Sequence, residues 1–493
     1  MTAATKPAVP RARLTLWQAP PSPRAGTRAP SDRGPRSIGA PARVVPIVLS
    51  AAVLAGAALA TPVLRDAVTG GQVGDVTLAL PTTYTVLAPW CDTLDALSLL
   101  SAQQHLALVA TVLVAHVAWR AGRRLRARAS RTHARTRPRG DETRAGAYTA
   151  HDVLRRLGRE TGRELAALGL VLLAIIAVYA ASLAPRPMAA LRPADTDMVT
   201  VDFHSHTAAS WDGRVGYGAE ENRAWHRAAG FDVAFVTDHR TFAGAAAAEA
   251  LNPRAAGDGT TLLTGIETRY RAEHLNVLGG TVARDGAFLV GAVDPRALDS
   301  AARALAPAAI LLITVPSRLA EVPQVVAEAR GAVRAIEFAD ASPRGFAQLD
   351  SARGRVLRLA DSLDLAVVAG SDNHGWGRTP AAWSLLTVPG WRRVSSDSLS
   401  SLIVACIRRQ GRRAVRVVER RRPKASHGAA LALIVPAMVW TMLTQIRWSE
   451  RVSWLLWTWG AWGAALVALR ASSARGTRAE AAPRQLSRTG EAA

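Results

Sequence analysis

The chain has 493 residues, a hydrophobic fraction of 49% and a formal charge of +23, and this length supports two or three domains with a core of ordinary size. Apolar and basic residues occupy separate segments, with no basic helix carrying base-reading residues and no RNA-binding signature, so nucleic acid is not expected as a specific partner. Cys91 and Cys406 lie far apart and make neither a disulfide framework nor a thiolate metal site.

Residues 1–43, rich in Pro, Arg, Ala and Ser without periodicity, read as a disordered basic tail. Residues 44–64 carry no charge and form a first expected membrane span. The stretch 76–90 is apolar but short and broken by Pro81 and Pro89, which suits an interfacial or re-entrant segment. A second span is expected over 97–118, interrupted by Gln103-Gln104-His105, and a third over 165–184. Between them, residues 119–164 form an Arg-rich loop with Arg120, Arg123, Arg124, Arg126, Arg128 and Arg131. A hairpin of two further spans is expected at 429–446 and 452–469, crowded with tryptophans as interfacial belts are, followed by a basic tail over 470–493. The chain therefore reads as an integral, multi-pass protein of a cell (inner) membrane, with the lipid bilayer as a partner. Counting Lys and Arg beside the spans places the soluble domain outside the cytoplasm by a modest margin, against the basic cluster Arg408–Lys424.

That soluble domain runs over 198–420, where short apolar strands alternate with amphipathic segments. Strands are expected at 199–201, 231–236, 261–266, 275–279, 309–315, 333–338, 365–369 and 383–388. Helices are expected around 218–229, 296–305, 318–330, 351–362 and 397–409. The alternation predicts a parallel sheet with helices outside it, closed as a barrel with its site at the strand ends.

Imidazoles and carboxylates sit at those ends. Asp202-Phe-His204-Ser-His206 leaves the first strand and Thr237-Asp238-His239 the second. Glu267 closes Thr264-Gly-Ile-Glu267, His274 opens the next strand, and Gly370-Ser-Asp372-Asn-His374 follows a later one. Asp212, beside Gly213, serves either as a ligand or as a turn residue, and His274 either as a ligand or structurally. Glu337 and Asp340 either reach the site or pair with Arg344, and His226 reads as a packing residue on a helix. Imidazole with carboxylate and without thiolate suits Zn, Mn or Fe, and a carboxylate can bridge two ions.

These stretches, taken together and in order, resemble the polymerase-and-histidinol-phosphatase (PHP) family over roughly 198–420, under half of the chain. The resemblance implies a distorted barrel of seven β/α units, an α/β fold flanked here by about three membrane helices before it and two after. It implies two to three divalent metal ions and hydrolysis of a phosphate ester by metal-bound hydroxide. Carried over by position, His204, His206, Glu267 and Asp372 hold one ion, Glu267 and His274 share in a second, and Asp212, His239 and His374 hold a third. Asp202 and Asp238 would orient ligand imidazoles. Asp372 and His374 would be catalytic, and Arg318 would grip the phosphate of a substrate whose class is open. Two departures stand out. Val315, in Val315-Pro316-Ser-Arg318, stands where the family has a metal-binding His, and Trp211 is an extra residue before Asp212. The function so implied is that of a membrane-anchored, metal-dependent phosphoester hydrolase (a phosphatase or phosphoesterase). The alternative, favoured by Val315, is a non-catalytic sensor or scaffold that binds metal or phosphate.

Overall fold

A computed structural model describes residues 40–135, 149–270, 273–279, 309–314 and 318–481. The helix expected over 296–305, Val315 with Pro316, and most of both tails lie outside the described residues. The chain divides into two compact units, Pro46–Trp462 and Met1–Val45 with Gly463–Ala493. The described parts of the second unit are helical, namely the start of α1 (Ala40–Ala58) and the end of the last helix.

Ten strands form one sheet in the order β1-β12-β11-β4-β5-β6-β7-β8-β9-β10. They are β1 (Leu64–Asp66), β4 (Met198–Ser205), β5 (Val233–Val236), β6 (Thr261–Tyr270), β7 (Glu273–Leu278), β8 (Ile310–Thr314), β9 (Val333–Asp340), β10 (Ala366–Gly370), β11 (Ala382–Thr387) and β12 (Arg416–Arg420). A separate pair joins β2 (Val76–Ala79) to β3 (Ala190–Pro193). The sheet curls until the segment after β10 returns to β4. There the Asp372 amide donates to the His204 carbonyl at 2.9 Å, and the His206 amide donates to the Asn373 carbonyl at 3.2 Å.

Alternation along β4 explains both its burial and its chemistry. Val199, Val201 and Phe203 share one face and join the main apolar core, while Thr200, Asp202 and His204 share the other. Phe203 stacks on Phe235 of β5 with ring centroids 5.6 Å apart. Helices α6 (Ala219–Ala229), α7 (Ala243–Glu249), α8 (Val322–Glu328), α9 (Asp350–Ser362) and α10 (Ser396–Gln410) accompany the sheet; α10 buries an apolar stripe, while α6 also buries Asn222 and His226 and α9 buries Arg353.

The sheet is mixed, where the sequence pattern predicts a parallel one. β4-β5-β6 and β8-β9-β10 are parallel, but β7 runs antiparallel to both of its neighbours, and β11, β12 and β1 are antiparallel as well. Only two residues separate β6 from β7, too few for the crossover that a parallel pair needs. The sheet also takes in β1, from far before residue 198.

Among the described residues, four helices are long and apolar enough to cross a membrane: Ala102–Ser130, Leu154–Leu183, Gly428–Gln445 and Trp448–Ser472. Of the five expected spans, the first has a shorter counterpart. Its apolar helix covers only Val44–Ala58, and the chain enters β1 soon afterwards. The expected interfacial segment 76–90 instead makes β2, α2 (Thr82–Val86) and the start of α3 (Ala88–Ser98). Much of the Arg-rich loop is helical, because Arg and Ala both favour helix and the two long helices simply continue into it. These are α4 (Ala102–Arg135) and α5 (Ala150–Leu183), and Glu164 pairs with Arg120 and Arg124 across them at 2.6 and 2.9 Å. The last two helices are α11 (Ile434–Gln445) and α12 (Trp448–Ala481).

Helices and sheet meet at a buried carboxylate. Asp95 of α3 accepts from Arg420 of β12 at 2.9 Å, from Arg186 just past α5 at 3.0 Å, from Tyr84 at 3.0 Å and from Thr379 at 2.9 Å. Removing it strands two guanidinium groups. The Asp95→Ala chain should therefore lose about 3–5 kcal/mol of stability, read as a lowered thermal midpoint of the full-length protein in detergent.

Candidate metal centre

The centre forms where β4, β5, β6, β7 and β10 deliver polar residues to one end of the curled sheet. His204 is the penultimate residue of β4 and His206 lies just beyond it, so both leave on the same face, with ring centroids 5.0 Å apart. Ser210 fixes the next pieces: its hydroxyl accepts from the His239 amide at 2.9 Å and stands 3.2 Å from His206 Nδ1. Gly370 is required by close approach, since a Cβ there would lie 2.0 Å from a Glu337 carboxylate oxygen and 2.5 Å from the His204 Cβ. Arg240 and Asp372 both adopt positive φ, at 56° and 46°. The outliers flank His239 and bear a ligand candidate directly, as strained backbone at functional sites does.

Glu267 is the hub. Its Oε2 lies 3.2 Å from His204 Nε2, 3.3 Å from His206 Nε2 and 3.1 Å from His239 Nδ1, while Oε1 meets His274 Nδ1. Asp372 Oδ1 is 3.5 Å from His204 Nε2 and 3.4 Å from His206 Nε2. On the open side, Asp212 bridges His239 and His374 at 3.4 and 3.3 Å, and the His206 and His374 rings stack 3.9 Å apart. All eight residues singled out as ligands from the sequence are thus brought to one place, Asp212 among them despite the insertion of Trp211.

Two triads could each hold an ion: His204, His206 and Glu267, and His206, His239 and His374, with ligand atoms in each triad within 4.8 Å of one another. The fit is borne by buried polar atoms that stand within ion-pair range of one another without forming hydrogen bonds. His206 Nε2, His374 Nε2 and Asp212 Oδ1 are buried and lack a hydrogen-bond partner among the described residues. Such atoms are costly unless something fills the space between them.

Electrostatics follow from packing. Burial pulls the His204 imidazolium down, but Glu337, Glu267 and Asp372 outweigh it and hold its pKa well above the usual value. Burial pushes Glu267 and Asp372 up, and the surrounding imidazoles, His204 foremost, overcome it and hold both carboxyls low. His239 and His374 are lowered, chiefly by burial, so their lone pairs are free near neutrality. Asp340 is raised, first by burial and then by Asp372 and Glu337 beside it.

Several expected roles change hands. Asp202 and Asp238 do not touch ligand imidazoles. Asp202 accepts from the His204 and Ser371 amides at 3.1 and 2.9 Å and pairs with His226 at 2.8 Å. Asp238 holds the turn after His206 through the Thr207 amide and hydroxyl at 2.6 and 2.7 Å. The carboxylate on the far side of a candidate ligand imidazole is Glu337, 3.4 Å from His204 Nδ1. A lone Glu inside the apolar run Ile336–Phe338 was its signal. Arg318 also stands apart: its side chain is 64% exposed and pairs with Glu321 at 3.1 Å. The guanidinium facing the centre is Arg344, 3.7 Å from Asp372, in a cleft of about 620 Å³ that Arg240 and Arg269 also line.

No protein-family model and no curated protein sequence matches the chain. Among solved structures it is similar to PsfC from Pseudomonas syringae PB-5123, at 18% identity and a TM-score of 0.32 over 49% of this chain and 96% of that one. It is similar to a protein from Bifidobacterium adolescentis ATCC 15703, provisionally named a metal-dependent phosphoesterase, at 17% identity and a TM-score of 0.27 over 41% and 95%. It is also similar to an amidohydrolase from Chromobacterium violaceum with bound sulfate and no metal, at 16% identity and a TM-score of 0.28 over 41% and 96%.

Proposed function

We propose that the chain is a membrane-anchored, metal-dependent phosphoester hydrolase of the PHP type. The observation that carries this reading is the shared carboxylate: Glu267 touches four imidazoles, from β4, β7 and the segment just after β5, belonging to one triad and reaching His206 and His239 of the other. His204, His206, Glu267 and Asp372 would hold one ion, and Asp212, His239 and His374 another, with His274 on the second oxygen of Glu267. Divalent Zn, Mn or Fe in these positions supplies Lewis acidity toward a phosphoryl oxygen and lowers the pKa of water.

The remaining work falls to the protein. Glu337 accepts from the Nδ1 side of His204, and the Asp372 carbonyl, 3.0 Å from His374 Nδ1, accepts from that ring. Both contacts leave Nε2 aimed at the centre, which fixes tautomer as well as orientation. Arg344 is long, exposed and beside Asp372, where it would grip a phosphate oxygen and steady developing negative charge. The cleft volume leaves room for a substituent much larger than phosphate.

Full-length protein purified in detergent should carry two or more Zn, Mn or Fe ions per chain by elemental mass spectrometry, with at least one lost in His204→Ala. It should hydrolyse p-nitrophenyl phosphate, and Asp372→Asn should abolish that turnover. Bound metal without hydrolysis of any phosphoester would establish a binding module instead. Arg344→Ala should raise KM roughly tenfold, the cost of one charge-assisted contact, whereas Arg318→Ala should leave KM unchanged.

Metal uptake should also release protons. In the ion-free protein His204 is held protonated by its three carboxylates, and an ion must take that proton's place. Apparent metal affinity should rise with pH by about tenfold per unit for each proton released. It should fall further in acid as His239 and His374 protonate. Titration calorimetry in two buffers of different ionisation enthalpy measures the proton count, and a count of zero at neutral pH would contradict the ligand set.

A further inference from the structure

Both lips of the metal cleft are fastened to the ends of helices long enough to cross a membrane. Ala102, in the wall of the 620 Å³ cleft beside Ser342, Pro343 and Arg344, is the first residue of α4. Its amide donates to the Pro343 carbonyl at 3.2 Å. The other lip is the loop 371–380, which carries Asp372 and His374 and meets the first where Arg344 lies 3.7 Å from Asp372. Arg378 of that loop donates to the carbonyl of Leu183, the last residue of α5, at 3.1 Å, and Arg186 donates to Thr379 at 2.7 Å. A second cleft of about 350 Å³ shares Asp212, Asp372 and His374 and is lined by Trp376.

The lip carries large apolar side chains in the open. Trp211 is 84% exposed, Val215 94% and Trp376 51%. They belong to one surface, because the Arg214 amide donates to the His374 carbonyl at 2.9 Å and Tyr217 packs against Gly375. Exposed tryptophan beside a spanning helix is at home where hydrocarbon meets headgroup. The same cleft that Trp211 lines also presents exposed Arg240, Arg269 and Arg344 beside the candidate ligands Asp212, Glu267 and Asp372, so cations able to meet an anionic head and apolar side chains able to meet a tail share one mouth.

We propose that the substrate is an amphiphile whose phosphate ester enters the cleft while its hydrocarbon stays in the bilayer. This rests on the phosphoester reading of the same centre and adds the substrate class. In the reaction the oxygen of water bonds to phosphorus and the P–O bond to the lipid alcohol breaks. One proton of the water ends on the alcohol and the other on the released phosphate.

The test uses full-length protein in phosphatidylcholine vesicles. Hexadecyl phosphate in the same vesicles is compared with butyl phosphate in solution, two monoesters that differ only in the tail. A nitroxide is placed at Val215→Cys and, as a reference, at Asp258→Cys, an exposed residue before β6 at the opposite strand ends. Both native cysteines are buried. We expect kcat/KM at least tenfold higher for hexadecyl phosphate, with the Val215 label relaxed by oxygen in the bilayer and the Asp258 label by aqueous nickel. Equal or reversed preference, or a Val215 label as open to nickel as the reference, overturns the proposal and leaves the phosphoester reading standing. Hydrolysis of neither ester by metal-loaded protein overturns the phosphoester reading itself, and the proposal with it.

Discussion

A carboxylate sealed from water must have its charge met by the protein, and at Glu267 four imidazoles meet it. That requirement organises the end of the sheet. Three strands beside Glu267's own must place a histidine at the same level, which constrains register, and the segment after β10 must return to β4 so that Asp372 can join them. Without ions, a proton on His204 and the field of its neighbours balance the cluster. The same geometry gathers imidazole and carboxylate atoms that could hold an ion in place of protons. Gly370 belongs to this constraint as well: the absence of a Cβ there lets β10 lie against His204 and Glu337.

The convergence of these side chains was legible because strand periodicity and residue chemistry coincide. His204 and His206 fall on one face by spacing alone, and Asp238-His239, Glu267 and Asp372 each terminate an apolar run. What stayed hidden depends on distance along the chain. Strand β7 reads as one more unit of a parallel barrel until the two-residue link to β6 is taken seriously. Arg318 follows a strand end in the expected way, yet its side chain turns to Glu321, while Arg344, on the loop after β9, reaches Asp372. Glu337 was visible as an isolated charge in an apolar strand, but nothing local says that it faces His204. Val315, Pro316 and Ser317 lie outside the described residues, so the expected effect of Val315 stands as first stated.

The helices are more than tethers. Asp95 ties α3 to β12 through Arg420, to the end of α5 through Arg186 and to the loop 371–380 through Thr379. Thr379 is five residues beyond His374, so a single buried carboxylate links the helical bundle to the loop that supplies two candidate ligands. A buried ionic network of this kind is a poor source of net stability but a strict one for geometry, because few arrangements satisfy all of its members.

Strand β1 has a further consequence, for synthesis. Its Arg65 pairs with Glu419 of β12, 354 residues later. The edge of the sheet therefore waits, unpaired, until β12 is made, and closing so long a loop is entropically slow. Anchoring α1, α4 and α5 first would hold that strand beside the place where β12 must arrive. Were these helices to enter a bilayer before β12 is made, their order of entry would become part of how the sheet is completed, and of how an exposed edge is kept from pairing with the wrong chain.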